Sequence, residues 1–169
     1  LSDLQTLDAV GGERVPSLDA TLDAFGGRIP WNLEIKKPAH GFYPDLEART
    51  LEAVTRRGLL GETLFSCFWG LVLSRLRELS YHSRLALLLS PRHPERAIER
   101  ALALGAEAIN PWDGMTTSDL VASAHGEGLA VYVFTVDDPG EMRRFLDMGV
   151  DGLFTNLPDR MRQLLREES

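Results

Sequence analysis

The sequence contains a single cysteine, Cys67, among its 169 residues. One thiol excludes an intramolecular disulfide framework and is typical of a reducing compartment, so we expect a cytoplasmic protein. No apolar run approaches the roughly 18–20 residues of a membrane span, and no stretch has the pattern of a signal peptide. We therefore expect no stable membrane insertion.

Basic residues are fewer than acidic ones, 18 against 25, which gives a formal net charge of −7. A protein that binds the phosphate backbone of nucleic acid normally carries a basic face, so we expect no nucleic-acid partner. This balance still allows a small anionic substrate that is held by one metal ion and one or two cationic side chains.

Three glycines, Gly105, Gly128 and Gly149, each end an amphipathic stretch and precede an apolar run. They recur about every 20 residues, the length that one strand, one helix and two short loops require. Helical spacing of apolar residues predicts helices within 70–80, 93–105, 116–128, 137–149 and about 158–166. Strand candidates lie at 31–36, 63–68, 84–89, 106–110, 129–135 and 151–155. Strands that alternate with helices predict a parallel sheet built from βαβ units.

Two α/β folds fit this alternation, an open doubly wound sheet and a (β/α)8 TIM barrel. No glycine-rich phosphate loop follows any strand candidate, which weakens the dinucleotide-binding form of the open sheet. A barrel normally has eight strands and about 250 residues, whereas about six βα units are visible here. We favour the barrel and expect residues 1–169 to be one barrel domain that is incomplete at its N-terminus, with the remainder upstream of Leu1.

The stretch "WNLEIKK" (31–37) alternates apolar and polar residues, as a strand with two different faces does. One face carries Trp31, Leu33 and Ile35, and the other presents Glu34 and Lys36 near the carboxyl end, where barrel enzymes place catalytic groups. The two charged residues lie about 6–7 Å apart along the strand, so they need not neutralise each other fully. A carboxylate there suits a hard divalent cation. A solvated edge strand or a buried Glu–Lys pair explains the pattern equally well.

Four segments resemble the glycerophosphodiester phosphodiesterase family, in the family's order along the chain. "NLEIK" (32–36) is similar to the family's central Asn-Ile-Glu-Ile-Lys strand, and "RVPSLDATLDAF" (14–25) to its helix entry. The segment 64–79 resembles the family's Ser-Ser-Phe region. Residues 129–159 resemble its Trp-Thr-Val-Asn to Thr-Asp-x-Pro block almost from end to end. The resemblance spans nearly the whole chain and implies a barrel fold.

By this resemblance Glu34 is a ligand of a divalent cation, Mg²⁺ or Ca²⁺, and Lys36 is a catalytic residue that contacts the phosphate. Phe134 takes the place of a tryptophan that lines the substrate pocket. Ser66 and Phe68, at the end of the strand candidate 63–68, are expected to bind substrate as well. Two further positions differ from the family: Asp137 stands where asparagine is usual, and Asn156 stands where aspartate is usual.

The family's His-Arg-Gly, Glu-x-Asp and His-Asp motifs are absent from this sequence. They supply both catalytic histidines and the remaining carboxylate ligands, and we expect them upstream of Leu1. The resemblance implies metal-dependent hydrolysis of a small glycerophosphodiester to an alcohol and glycerol 3-phosphate by the intact protein. We do not expect the 169 residues alone to be active.

Two other functions stay open at this point. In a barrel aldolase or isomerase, Lys36 would form a Schiff base or transfer a proton, and borohydride would trap an adduct on it. A truncated, non-catalytic barrel would act as a binding protein. The sequence also leaves open a homo-oligomer, the identity of the cation and the alcohol that is released.

Overall fold

The computed structural model describes residues 7–36 and 43–167. A two-stranded antiparallel hairpin precedes a six-stranded parallel sheet. The order of the strands in this sheet is the same as their order along the chain. The strands are β1 (Asp8–Val10), β2 (Glu13–Arg14), β3 (Trp31–Glu34), β4 (Thr63–Cys67), β5 (Arg84–Leu89), β6 (Ala108–Pro111), β7 (Ala130–Val133) and β8 (Gly152–Leu153). All six predicted strands are therefore confirmed, and the hairpin is an element that the sequence pattern did not predict.

Helices connect the parallel strands. The helices are α1 (Leu18–Phe25), α2 (Leu46–Thr55), α3 (Gly70–Leu79), α4 (Ala97–Ala103), α5 (Ser118–Gly126), α6 (Pro139–Asp147) and α7 (Pro158–Glu167). Helices α1, α5 and α6 begin after a residue whose side chain caps them. The side chains of Thr117 and Asp138 accept hydrogen bonds from backbone N–H groups in the first turns of α5 and α6. Helix α4 begins at Ala97, directly after Arg96, which adopts a left-handed conformation with φ of 51°.

The two faces of the parallel sheet are covered differently. Phe65, Leu87 and Val131 point to the face on which the helices pack, in one large apolar core. Leu64, Ala86 and Ala108 point to the opposite face, where they form a smaller apolar cluster without helical residues. Because a doubly wound sheet carries helices on both faces and reverses its strand order, that alternative is wrong. Sequential parallel strands with helices on one face are the arrangement of a (β/α) barrel wall.

In the described part of the chain, β3 and β8 form the two edges of the parallel sheet. The loops that follow the strands lie together at the carboxyl end of the sheet, and this end carries the five predicted site residues. Among the described helices, none has the length and apolar character that crossing a membrane would require.

Candidate active site

Strand β3 and the two residues after it divide their side chains as the alternation predicts. Trp31 and Leu33 pack against the core beneath the helices, and Ile35 is buried in that core. Glu34 and Lys36 turn to the inner face, where the side chain of Glu34 is 30% exposed and that of Lys36 is 74% exposed. The backbone N–H of Ile35 donates to the carbonyl oxygen of Ser66 at 2.9 Å, so the pairing of β3 with β4 continues beyond Glu34.

Glu34 and Lys36 form an ion pair in which Nζ of the lysine lies 2.7 Å from Oε1 of the glutamate. The two residues are separated along the backbone as a strand requires, but their long side chains converge at the end of the strand. The pair is partly open to solvent, where an ion pair contributes only about 0–1 kcal/mol to stability. Both groups can therefore exchange this contact for a ligand at small cost.

All five predicted site residues line one cavity of about 380 Å³ at the carboxyl end of the sheet. The rings of Phe68 and Phe134 meet edge to face, with their centroids 5.8 Å apart and an interplanar angle of 86°. This contact joins the loop after β4 to the end of β7 and gives the cavity an aromatic wall. The cavity is lined by Asn32, Glu34, Lys36, Ser66, Phe68, Leu88, Phe134, Thr135 and Phe154.

Ser66 lies at the floor of the cavity and is only 2% exposed. Its hydroxyl donates to Oδ1 of Asn32 at 2.7 Å. Asn32 was not predicted as a site residue, although it shares the inner face of β3 with Glu34. The hydrogen bond engages both polar groups with each other, so they shape the floor of the cavity next to Glu34.

Cys67 points away from the cavity into the core, as a small buried apolar group does. Its thiol lies 3.0 Å from the carbonyl oxygen of Ile35, the residue between Glu34 and Lys36. Burial raises the pKa of the Cys67 thiol, so the group stays protonated and can donate to that carbonyl. The contact therefore helps to fix the end of β3 against β4.

The loops after β7 and β8 are joined through Asp137. Its Oδ1 accepts hydrogen bonds from the Thr155 hydroxyl at 2.9 Å and from the backbone N–H of Asn156 at 2.7 Å. Its Oδ2 accepts from Nδ2 of Asn156 at 2.8 Å. The pKa of Asp137 lies below its usual value, because Asn156 donates side-chain and backbone hydrogen bonds to the carboxylate and Thr155 donates another.

The contact between Asp137 and Asn156 explains the two departures from the family pattern. The resemblance pairs these positions with an asparagine and an aspartate, respectively, and the structure brings the two side chains together. The pair therefore still consists of one amide and one carboxylate, but each group lies on the loop where the family usually has the other.

Asn110 lies on the same face of β6 as Ala108 and is fully buried. Neither Oδ1 nor Nδ2 of its side chain has a hydrogen-bond partner among the described residues. Asn110 and Pro111 are the last two residues of β6.

Within the described ranges, the structure shows no group of three or more histidine, cysteine, aspartate or glutamate side chains that could hold a metal ion. No histidine of that part of the chain lines the cavity. His125 instead contacts Asp151, with Nε2 and Oδ2 2.9 Å apart. Lys37 lies outside the described residues.

A sequence model of the glycerophosphoryl diester phosphodiesterase family matches residues 1–160. A glycerophosphodiester phosphodiesterase of Bacillus subtilis is 28% identical over 160 residues, which cover 88% of this chain and 53% of that protein. A glycerophosphodiester phosphodiesterase of Caldanaerobacter subterraneus is 26% identical over 180 aligned residues, and the match covers 99% of this chain and 71% of that protein. The chain thus spans between about half and seven-tenths of the length of these two relatives.

Two solved structures share the fold. A glycerophosphodiester phosphodiesterase from Parabacteroides distasonis superposes with a TM-score of 0.84 at 24% identity, covering 99% of this chain and 71% of that one. A phosphodiesterase from Oleispira antarctica was solved in complex with the product sn-glycerol-3-phosphate. It superposes with a TM-score of 0.87 at 21% identity, covering 98% of this chain and 70% of that one. The predicted barrel fold is confirmed, and the family match extends over most of the sequence. This chain belongs to the glycerophosphoryl diester phosphodiesterase family.

Proposed function

We propose that the protein hydrolyses small glycerophosphodiesters to an alcohol and glycerol 3-phosphate at the cavity that contains Glu34 and Lys36. The observation that carries this proposal is the pairing of one carboxylate and one ammonium group at the carboxyl end of β3, beside an aromatic wall. Membership of the family supports the same chemistry.

Lys36 is the cationic group that we assign to the phosphate. Its ammonium group is the only basic side chain that lines the cavity among the described residues, and it is well exposed. Hydrolysis of a phosphodiester increases negative charge on the phosphoryl oxygens in the transition state. A fixed positive charge beside these oxygens lowers the barrier, and removal of one such group typically costs about 10²–10³ in kcat.

Glu34 is the residue that we assign as one ligand of a divalent cation, Mg²⁺ or Ca²⁺. Its carboxylate faces the cavity and is a hard oxygen donor, which fits either ion. The fit is partial, because such ions take about six or more oxygen ligands and the described residues provide no further carboxylate in the cavity. When bound, such a cation polarises a phosphoryl oxygen. We assign no chemical step beyond that.

Proton transfer is not assigned to a residue of this chain, since no histidine in the described ranges lines the cavity. The part that these residues play is to bind and orient the diester. Lys36 holds the phosphate, while Phe68 and Phe134 cover one side of the cavity and limit the access of water.

The test is hydrolysis of glycerophosphocholine by the complete protein, measured as release of glycerol 3-phosphate. We expect a chelator to abolish the activity. We expect Lys36→Gln and Glu34→Gln each to reduce kcat/KM by a factor of about 10²–10³. Lys37→Gln is the matched control, because Lys36 and Lys37 are the only two lysines in the sequence and the variant removes the same charge one position further on.

Two results would contradict the proposal. One is full activity in the presence of chelator. The other is full activity of Lys36→Gln. Trapping of a borohydride-reduced adduct on Lys36 with a carbonyl substrate would instead favour an aldolase.

A further inference from the structure

We propose that a second cleft beside the active-site cavity binds the alcohol part of the diester and selects alcohols that carry an anionic group, a carboxylate or a phosphate. The inference rests on the proposed function, because it takes the phosphate to lie at Lys36. The cleft has a volume of about 500 Å³ and lies between the loop after β4 and the loop after β5. The residues that matter for the inference are Phe68, Trp69, Leu88, Arg92, His93 and Arg100. We call this the arginine cleft.

The arginine cleft and the active-site cavity adjoin each other. Phe68 and Leu88 line both of them, one from the end of β4 and one from β5. A diester with its phosphate at Lys36 can therefore extend over the Phe68 ring into the cleft. The rings of Phe68 and Trp69, each a little over one-third exposed, give the carbon skeleton of an alcohol an apolar surface on which to lie.

The charge of the arginine cleft is opposite to that of the whole chain. Two arginines line it, and no aspartate or glutamate of the described ranges does so, although the net charge of the chain is −7. Nη1 of Arg100 donates to the carbonyl oxygen of His93 at 2.9 Å, which holds this guanidinium at the cleft. Arg92 is exposed and forms no ion pair within the described part of the chain.

These two guanidinium groups determine which alcohols fit. Guanidinium pairs with carboxylate and phosphate through two parallel hydrogen bonds, so an anionic alcohol gains contacts that a neutral one lacks. Aromatic rings alone would also attract a quaternary ammonium group. The two arginines oppose that attraction by like-charge repulsion, so we expect a choline ester to bind no better than a neutral one.

Arg96 provides a matched control on the same loop. It lies close in sequence to Arg92 and is paired with Glu99, and it lines a neighbouring cavity that also contains Glu95. Replacing Arg96 removes the same charge from the same region without removing a residue that lines the arginine cleft.

The experiment measures dissociation constants by calorimetry for the complete protein in the presence of chelator, with ³¹P NMR to verify that the diesters stay intact. The probes are glycerophosphodiesters of glycerol, glyceric acid, glycerol phosphate and choline. The first three differ only in whether the alcohol ends in a hydroxyl, a carboxylate or a phosphate. We expect the two anionic diesters to bind about tenfold more tightly than the glycerol diester. Arg92→Gln should reduce that ratio to about one to three, and Arg96→Gln should leave it unchanged.

The inference is overturned if the four diesters bind equally, if none of them binds, if the choline diester binds most tightly, or if Arg96→Gln reduces the ratio as much as Arg92→Gln does. The relative tightness of the carboxylate and phosphate probes tells which anion the cleft prefers. Hydrolysis of the glycerol diester by the same protein tests the proposed function separately. Turnover without a preference for anionic alcohols overturns only the inference about the cleft.

Discussion

Replacement of Asn110 by leucine should stabilise the protein, although most substitutions in a core destabilise it. The Asn110 side chain is fully buried, and neither of its polar atoms has a hydrogen-bond partner among the described residues. A buried polar group that lacks a partner costs about 1–3 kcal/mol. Leucine branches at the same carbon and has the same number of side-chain heavy atoms as asparagine, and burial of its two methyl groups adds about 1–2 kcal/mol. Its larger volume costs about 1–3 kcal/mol in a closely packed site. We therefore expect the free energy of unfolding to rise by about 1–2 kcal/mol.

Urea unfolding at 25 °C and thermal unfolding, both followed by circular dichroism, measure this change. A gain of that size corresponds to an increase in Tm of about 2–8 °C for a domain of this length. Asn32→Leu is the matched control on the same face of the sheet. Since Oδ1 of Asn32 accepts the hydrogen bond of the buried Ser66 hydroxyl, this variant should lose about 1–2 kcal/mol.

The reasoning is refuted if Asn110→Leu lowers the free energy of unfolding by about 1 kcal/mol or more. That result would mean that the Asn110 amide is hydrogen-bonded in the folded protein and contributes to its stability. A loss in Asn110→Leu that equals the loss in Asn32→Leu would show that the two asparagines are equivalent.

Two further predictions concern the hydrogen bonds between the loops after β7 and β8. Asn156→Asp should destabilise the protein at neutral pH, because two carboxylates then face each other. Adding Asp137→Asn should restore much of the lost stability. If urea unfolding shows that the effects of the two substitutions on the free energy of unfolding simply add, this prediction is contradicted. Because folding lowers the pKa of Asp137, its contribution is complete above about pH 4 and is lost as the pH falls below that value. The difference in unfolding free energy between the wild type and Asp137→Asn should therefore shrink as the pH falls below about 4. A difference that stays constant as the pH falls would contradict the assigned hydrogen bonds.

The parallel sheet could be predicted from the sequence because its signals are local. Gly105, Gly128 and Gly149 end helices with positive φ angles of 61°, 75° and 76°, a conformation that glycine adopts without strain. Apolar runs follow each of them, and Thr117 and Asp138 mark helix starts. The β1–β2 hairpin was missed, because two very short strands leave no periodic pattern to detect.

The candidate site could be predicted only in part. Alternation in β3 fixed the face on which Glu34 and Lys36 lie, since successive strand residues point to opposite faces. It could not fix the 2.7 Å contact between them, because that depends on the rotamers of two long side chains. The pairing of Asp137 with Asn156 was also out of reach, since it joins two loops that only the folded sheet brings together. The roles assigned to the five site residues stay predictions.

Titration of sn-glycerol 3-phosphate into the complete protein in the presence of Mg²⁺ is the most direct test of Lys36 as the phosphate-binding group. We predict saturable binding that Lys36→Gln weakens about tenfold or more and that Lys37→Gln leaves unchanged. Equal affinities of the wild type and Lys36→Gln would contradict the assignment.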